Sequence, residues 1–262
     1  MSLNHPYWQI QEAGTALFPD IQWNKPEQRA HAGRLAIIGG NKLGFVAVRD
    51  AYEVSHKLGA GQIRAVLPDV LRAVVPPAVA DAVFLPSNKS GGFARQALPE
   101  FEAACAWADL CLLIGDAGRN SETAMALERL VDGRVVITRD AVDLLLPAAA
   151  KVVANPQATF VVSFAQLQKL FQSVYYPRIL SFSMQLQQLV ETLHKFTTTY
   201  PCTIVTYHQT QLVVAHDGHV VTQAFDQPMA IWRGVTAARV SAYLLWNPTK
   251  PLEAIATSFT TV

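Results

Sequence analysis

The chain has 262 residues, 51% hydrophobic and 16% charged, enough to bury the core of one α/β domain of three layers. Its formal charge is +1, with Lys and Arg scattered singly, which excludes the basic footprint of a nucleic-acid binder. The polar start MSLNHPYWQIQEAG has no signal layout, and apolar runs such as residues 111–114 fall far short of the roughly 20 needed to cross a bilayer, so the expected setting is cytoplasmic, with no membrane partner.

Residues 1–33 carry Trp8, Leu17, Phe18, Pro19, Trp23 and Pro26 with little periodicity, and read as an N-terminal arm wrapped on the outside of a domain spanning 34–262. Residues 35–38 form a continuous apolar run ending in Gly39-Gly40, the pattern of a strand buried on both faces. A helix is expected over 46–58, closed by Gly59 and Gly61, and a second strand over 63–67. This is a βαβ unit, and its right-handed crossover places the glycine turn at one edge of a parallel sheet.

The alternation continues, with a helix over 101–107, a strand over 110–114 stopped by Gly115-Asp116-Ala117-Gly118, and a helix over 121–131 capped by Ser121. Residues 135–138 read as a strand followed by a short helix from Asp140, 159–162 as a strand and 164–173 as a helix. Residues 181–199 carry Leu186, Leu189, Val190 and Leu193 on one helical stripe. Strands at 204–206 and 211–215 precede Asp217-Gly218, a hairpin signal, and 235–246 closes as a helix stopped by Pro248.

Cys105, Cys111 and Cys202 are odd in number and without C-x-x-C spacing, and read as small core residues. The run His216-Asp217-Gly218-His219 has metal-ligating residue types but sits on a tight turn without a third ligand, and reads as an exposed hairpin. Asp140 and Asp143, at i and i+3, form either a carboxylate pair near a ligand or a charge preference at a helix start. No Walker loop, G-x-S-x-G, H-E-x-x-H or G-x-G-x-x-G run occurs.

In an open parallel sheet, ligands bind beyond the carboxyl ends of the strands, where backbone amides hold anions. Three turns qualify: Gly39-Gly40-Asn41, Gly115 to Gly118, and Thr138 to Asp140. In their order and spacing the chain resembles the ribokinase-like NAD(P)H-hydrate dehydratase family, the C-terminal half of YjeF-type proteins. Gly39, Gly40, Asn41, Ala47, Gly59, Ala60 and Gly61 match that family's opening without a gap, Asn41 standing in place of a serine and Val46 in place of a glycine. The family's Gly-Pro-Gly-Leu-Gly turn is reduced to Gly115-Asp116-Ala117-Gly118, and its Asp-Ala-Asp-Ala-Leu stretch reads here as Thr138 to Val142.

The resemblance implies a ribokinase-like three-layer αβα sandwich with a mainly parallel central sheet, a homo-oligomer, and a lyase that uses ADP or ATP with Mg to restore hydrated NADH or NADPH. The ligand-binding set it implies is Gly39, Gly40, Asn41, Gly115, Asp116, Gly118, Asp140, Arg233, Gly234 and Thr236, with Arg233 either a phosphate clamp or a surface arginine. The catalytic half departs from the pattern. Ser163 and Gln166 fall where the family has a histidine and a glutamate, Thr206-Tyr207 where it has Lys-Gly, and Ile231-Trp232-Arg233-Gly234-Val235-Thr236 where it has Gly-Gly-Ser-Gly-Asp. Residues 227–252 contain no Asp or Glu, and Thr236, in the place of the general base, is not basic near neutral pH. Loss of such a base removes about 10² to 10⁴ in rate. The expectation is therefore a diverged member that keeps a nucleotide or dinucleotide pocket without the usual catalytic aspartate. The alternatives are an active dehydratase with displaced catalytic residues, Asp226 being the nearest carboxylate, and a structural or interaction protein using Trp8, Trp23, Trp107, Trp232 and Trp246.

Overall fold

A computed structural model describes residues 5–260 apart from 77, 78 and 80. Among the described residues one ten-stranded sheet runs through the molecule. In chain order its elements are β1 (Trp8–Gln11), α1 (Asp20–Trp23), β2 (Arg34–Gly39), α2 (Val46–Leu58), β3 (Gln62–Pro68), β4 (Ala82–Leu85), α3 (Leu98–Trp107), β5 (Leu110–Gly115) and α4 (Ser121–Glu128). They continue with β6 (Val135–Thr138), α5 (Asp140–Leu145), α6 (Ala149–Val153), β7 (Ala158–Val162), α7 (Phe164–Ser173), α8 (Leu186–Thr199), β8 (Thr203–His208), β9 (Gln211–His216), β10 (His219–Ala224), α9 (Pro228–Arg233), α10 (Val235–Trp246) and α11 (Pro251–Thr257).

The strand order is β1-β10-β9-β8-β7-β6-β5-β2-β3-β4, and only β9 pairs antiparallel with its neighbours. The central strands β2, β5 and β6 read as nearly unbroken apolar runs because both faces are covered. The period-2 alternation sorts them cleanly. Leu35 and Ile37 of β2 and Leu110, Leu112 and Ile114 of β5 join a core with α2, α10 and α11, while Ala36, Ile38, Cys111 and Leu113 join the opposite core with α3, α4, α7 and α8. The three-layer α/β arrangement with a mainly parallel sheet is as expected from the sequence. The chain runs outward from β2 to β4 and returns to β5 on the other side of β2, so the crevice beyond β2 and β5 is the topological switch point.

Four local details differ from the sequence reading. The first 33 residues contribute β1, which pairs in parallel with β10 from Trp8 opposite Val220 to Gln11 opposite Gln223, and bury Ile21 completely. The cap of α4 is Asn120 rather than Ser121: its side chain accepts from the amides of Glu122 and Thr123 at 2.8 and 3.3 Å, and Ser121 is already helical. Residues 181–185 lie outside α8, because Gln185 and Gln188 close a capping box that fixes the helix start at Leu186. Finally, the stretch aligned with a glycine-rich loop is a short helix, α9, ending at Gly234 in the left-handed conformation (φ 83°).

Candidate functional site

The three expected turns meet at the carboxyl edge of the sheet. The Gly40 amide donates to the Gly115 carbonyl at 2.9 Å, and Asn41 Nδ2 donates to the Asp116 carbonyl at 2.5 Å. Asn41 Oδ1 accepts from the Leu43 amide at 2.7 Å, while the amides of Asn41, Lys42 and Gly44 donate to the carbonyls of Gly44, Gly91 and Asn41. Five successive amides, from Gly40 to Gly44, are thus bonded within the protein.

The turn after β5 is also filled from within. Asp140 Oδ1 accepts from the Asp116 amide at 2.6 Å and Oδ2 from the Gly118 amide at 3.2 Å, so a side-chain carboxylate occupies the place where an external anion would dock. Burial pushes the Asp140 carboxyl above its ordinary pKa; the nearby Asp116 charge adds to this, and the amide bonds and Arg139 partly oppose it. The close approach needs Gly115, which has φ 90° and where a Cβ would collide with Asp140 Oδ1.

Arg139, to which the sequence pattern gives no role, closes the cluster. Its backbone holds φ 55°, ψ −140°, a sparsely populated region for a residue with a side chain. Its guanidinium pairs with Asp116 Oδ1 and donates to the Trp232 carbonyl at the end of α9. Asp116 Oδ2 in turn accepts from the Ala47 amide in the first turn of α2 at 3.1 Å. Gly234 packs on the same group, a Cβ there standing 2.5 Å from Ile114 Cδ1 and 3.3 Å from Arg139 Cδ. The signal that could have revealed this is a cation inside a strand-end turn that otherwise favours backbone donors.

The structure thus brings together Gly39, Gly40, Asn41, Gly115, Asp116, Gly118, Asp140 and Gly234. Arg233 is exposed at the end of α9, with no ion pair joining it to the cluster among the described residues. Ser163 and Gln166 form the capping box of α7, and Gln166 Nε2 also donates to the Arg139 carbonyl at 2.6 Å and to Asp143 Oδ2 at 3.2 Å. Asp143 pairs with Lys169 at 2.6 Å. His216 faces Thr203 Oγ1 at 2.9 Å across the β8–β9 pair, and burial lowers its pKa.

Thr236 belongs to a different space. With Val235 at the start of α10 it lines a cavity of about 580 Å³ beyond the ends of β8 and β10, walled by Tyr207, Phe225 and Phe259 and edged by Thr210 and Asp226. The Phe225 ring lies 6.2 Å from Tyr207 and 5.9 Å from Phe259, both edge to face. Thr236 is 1% exposed, and its hydroxyl has no hydrogen-bond partner among the described residues. A buried hydroxyl without a partner, at the positive end of a 12-residue helix, suits a polar or anionic group on a ligand.

No protein-family model matches the sequence, and no curated protein sequence matches it. Solved structures match its fold. A ribokinase-like superfamily protein from Enterococcus faecalis superposes over 98% of this chain and 87% of its own, with a TM-score of 0.73 and 15% identity. The fold is ribokinase-like. Among further structures with this ribokinase-like topology, an ADP/ATP-dependent NAD(P)H-hydrate dehydratase from Bacillus subtilis, co-crystallised with ATP and Mg²⁺, aligns over 88% of this chain and 79% of its own at a TM-score of 0.54 and 12% identity. A phosphomethylpyrimidine kinase from Clostridium difficile aligns over 86% and 96% at 0.51 and 10%. At such identities the likeness carries architecture and not activity.

Proposed function

We propose that this ribokinase-like protein is a diverged relative of the ADP/ATP-dependent NAD(P)H-hydrate dehydratases that binds a nucleotide or dinucleotide without performing the dehydration. The observation that carries the reading is the occupation of the strand-end turns by the protein's own Asp140, Asp116 and Arg139, beside an open, aromatic-walled cavity at the start of α10. A volume of about 580 Å³ suits a small organic ligand, and three aromatic rings suit a flat heterocycle. The Thr236 hydroxyl and the helix N-terminus at the start of α10 offer polar contact to such a ligand, ADP or ATP being the expected type with Mg²⁺ accompanying the phosphates. Catalysis needs a base within reach of the proton that moves, and no carboxylate occurs from residue 227 to residue 252.

Asp226 favours a second reading. It lines the same cavity and would be the base of an active enzyme with displaced machinery. Thermal unfolding with adenosine, AMP, ADP, ATP with and without Mg²⁺, and NADPH tests binding, since a ligand at 100 times its Kd adds about 2.7 kcal/mol. No shift with any of them overturns the binding reading. An absorbance assay for recovery of NADPH from its hydrate separates the two readings. Recovery no faster than the uncatalysed rate supports the first, and turnover lost in Asp226→Asn supports the second. If there is turnover, Val235→Gly with Thr236→Asp shows whether restoring the family residues raises it further.

A further inference from the structure

At the amino ends of the strands, on the edge of the sheet away from the turns above, two cysteines face one another. Cys105, in the last turn of α3, and Cys111, the second residue of β5, hold their sulfurs 2.9 Å apart, with Cys111 Sγ donating. That is roughly 0.9 Å longer than the ~2.05 Å of a disulfide bond. Both residues line a cavity of about 310 Å³ together with Glu102, Asp109, Arg129 and Arg134, from which the half-buried Cys105 is reached, while Cys111 is itself buried. Arg134 is fixed there by donating to the carbonyls of Asp109 at 3.2 Å and Leu244 at 2.8 Å, while Arg129 is exposed. Cys202, by contrast, is 0% exposed, and its thiol is pushed up to about 12 by burial.

We propose that Cys105 and Cys111 form a redox-active dithiol that reacts with small disulfides carrying carboxylate groups, which enter this cavity between Arg129 and Arg134. Cys105 is the more exposed of the two and is the attacking residue. Its hydrogen bond to Cys105, and then burial, hold the Cys111 thiol well above the ordinary value, which assigns Cys111 the later, resolving step. In the first step the Cys105 thiolate attacks one sulfur of the small disulfide; a bond forms between Cys105 Sγ and that sulfur, and the other half leaves as a thiolate that takes up a proton. In the second, Cys111 loses its proton and attacks Cys105 Sγ, the mixed disulfide breaks, and the second half leaves as a thiol. Two protein thiols are oxidised by two electrons, and one small disulfide is reduced to two thiols.

The test uses the reduced full-length chain, incubated with glutathione disulfide, quenched in acid, alkylated under denaturing conditions and measured by intact mass and peptide mapping. The expected product carries no glutathione and one alkyl group, on Cys202, against three on the reduced control, and after subtraction of that group is lighter than the reduced chain by two hydrogen atoms. Cys111→Ser is expected to stop with one glutathione on residue 105, and Cys105→Ser to remain unmodified. Three alkylated cysteines in the wild type after prolonged incubation, a stable glutathione adduct on it, or a Cys202 that has lost its free thiol to glutathione or a disulfide would each overturn the proposal. The wild-type result alone decides between these outcomes even where a serine variant folds poorly.

Discussion

Asp140 grips the Asp116 amide at 2.6 Å, so a side chain from the β6 turn stands in the anion position of the turn after β5. The arrangement costs the folded state some desolvation of a carboxylate, and this fixes the sign of a pH effect. Burial raises the Asp140 carboxyl in the folded protein, while in the unfolded chain it titrates near the ordinary 3.8. The native state therefore holds the proton to higher pH. The stability contributed by this group is greatest below that value and declines as pH rises through the folded pKa. Urea midpoints on both sides of this window are expected to lose that decline in Asp140→Asn; an unchanged profile would show that Asp140 is not its source.

Arg139 combines an ion pair with an unfavourable backbone conformation (φ 55°), and the two can be separated. Arg139→Gly removes the pair and relieves the backbone, whereas Arg139→Ala removes the pair and keeps the strain. The glycine variant is expected to be the more stable of the two by about 1 kcal/mol in chemical denaturation. Equal stabilities would place no cost on the backbone.

Thr236 should show a trade between stability and binding. Its buried hydroxyl has no partner among the described residues, so Thr236→Val is expected to be neutral or stabilising by up to about 1 kcal/mol, and to weaken the nucleotide-induced thermal shift. A strongly destabilised Thr236→Val would mean that the hydroxyl is satisfied in solution.

Blocking the cavity gives a complementary result. Ala230 lines it from α9 and is partly exposed, so Ala230→Phe fills space without entering the core. The expected outcome is an unchanged unfolding temperature without ligand and loss of the shift produced by ADP or ATP. A retained shift would move the binding site elsewhere.

Much of the architecture was legible because it rests on patterns that packing enforces. The β2 to β3 unit and α10 follow from apolar runs and periods bounded by glycine or proline, β6 and α7 from the apolar pattern itself, and the structure reproduces them within a residue or two. What escaped was set by long-range pairing or by side-chain competition. β1 looks aperiodic because only Gln11 of its four residues is buried, so no alternation marks it. β4, only four residues long and partly exposed over its first three, gives equally little signal. At the site, glycine spacing disclosed which turns converge, since close approach of backbones requires it. It could not disclose that Asp140 and Arg139 would turn inward to satisfy the donors, because that depends on rotamers and on the position of α9.

The pairing of Trp8 with Val220 gives the molecule an unusual order of assembly. Among the described strands β1 comes before the other nine in the chain, yet it pairs with β10, which comes after them, and Trp8 Nε1 reaches its acceptor, Thr222 Oγ1, at 2.9 Å only once β10 has been made. A nascent chain must keep this segment unpaired while the remaining strands register, and then close a loop of more than two hundred residues. Loop entropy grows only logarithmically with length, so the final product bears little extra cost, and the burden falls on the interval in which the ribosome is still at work.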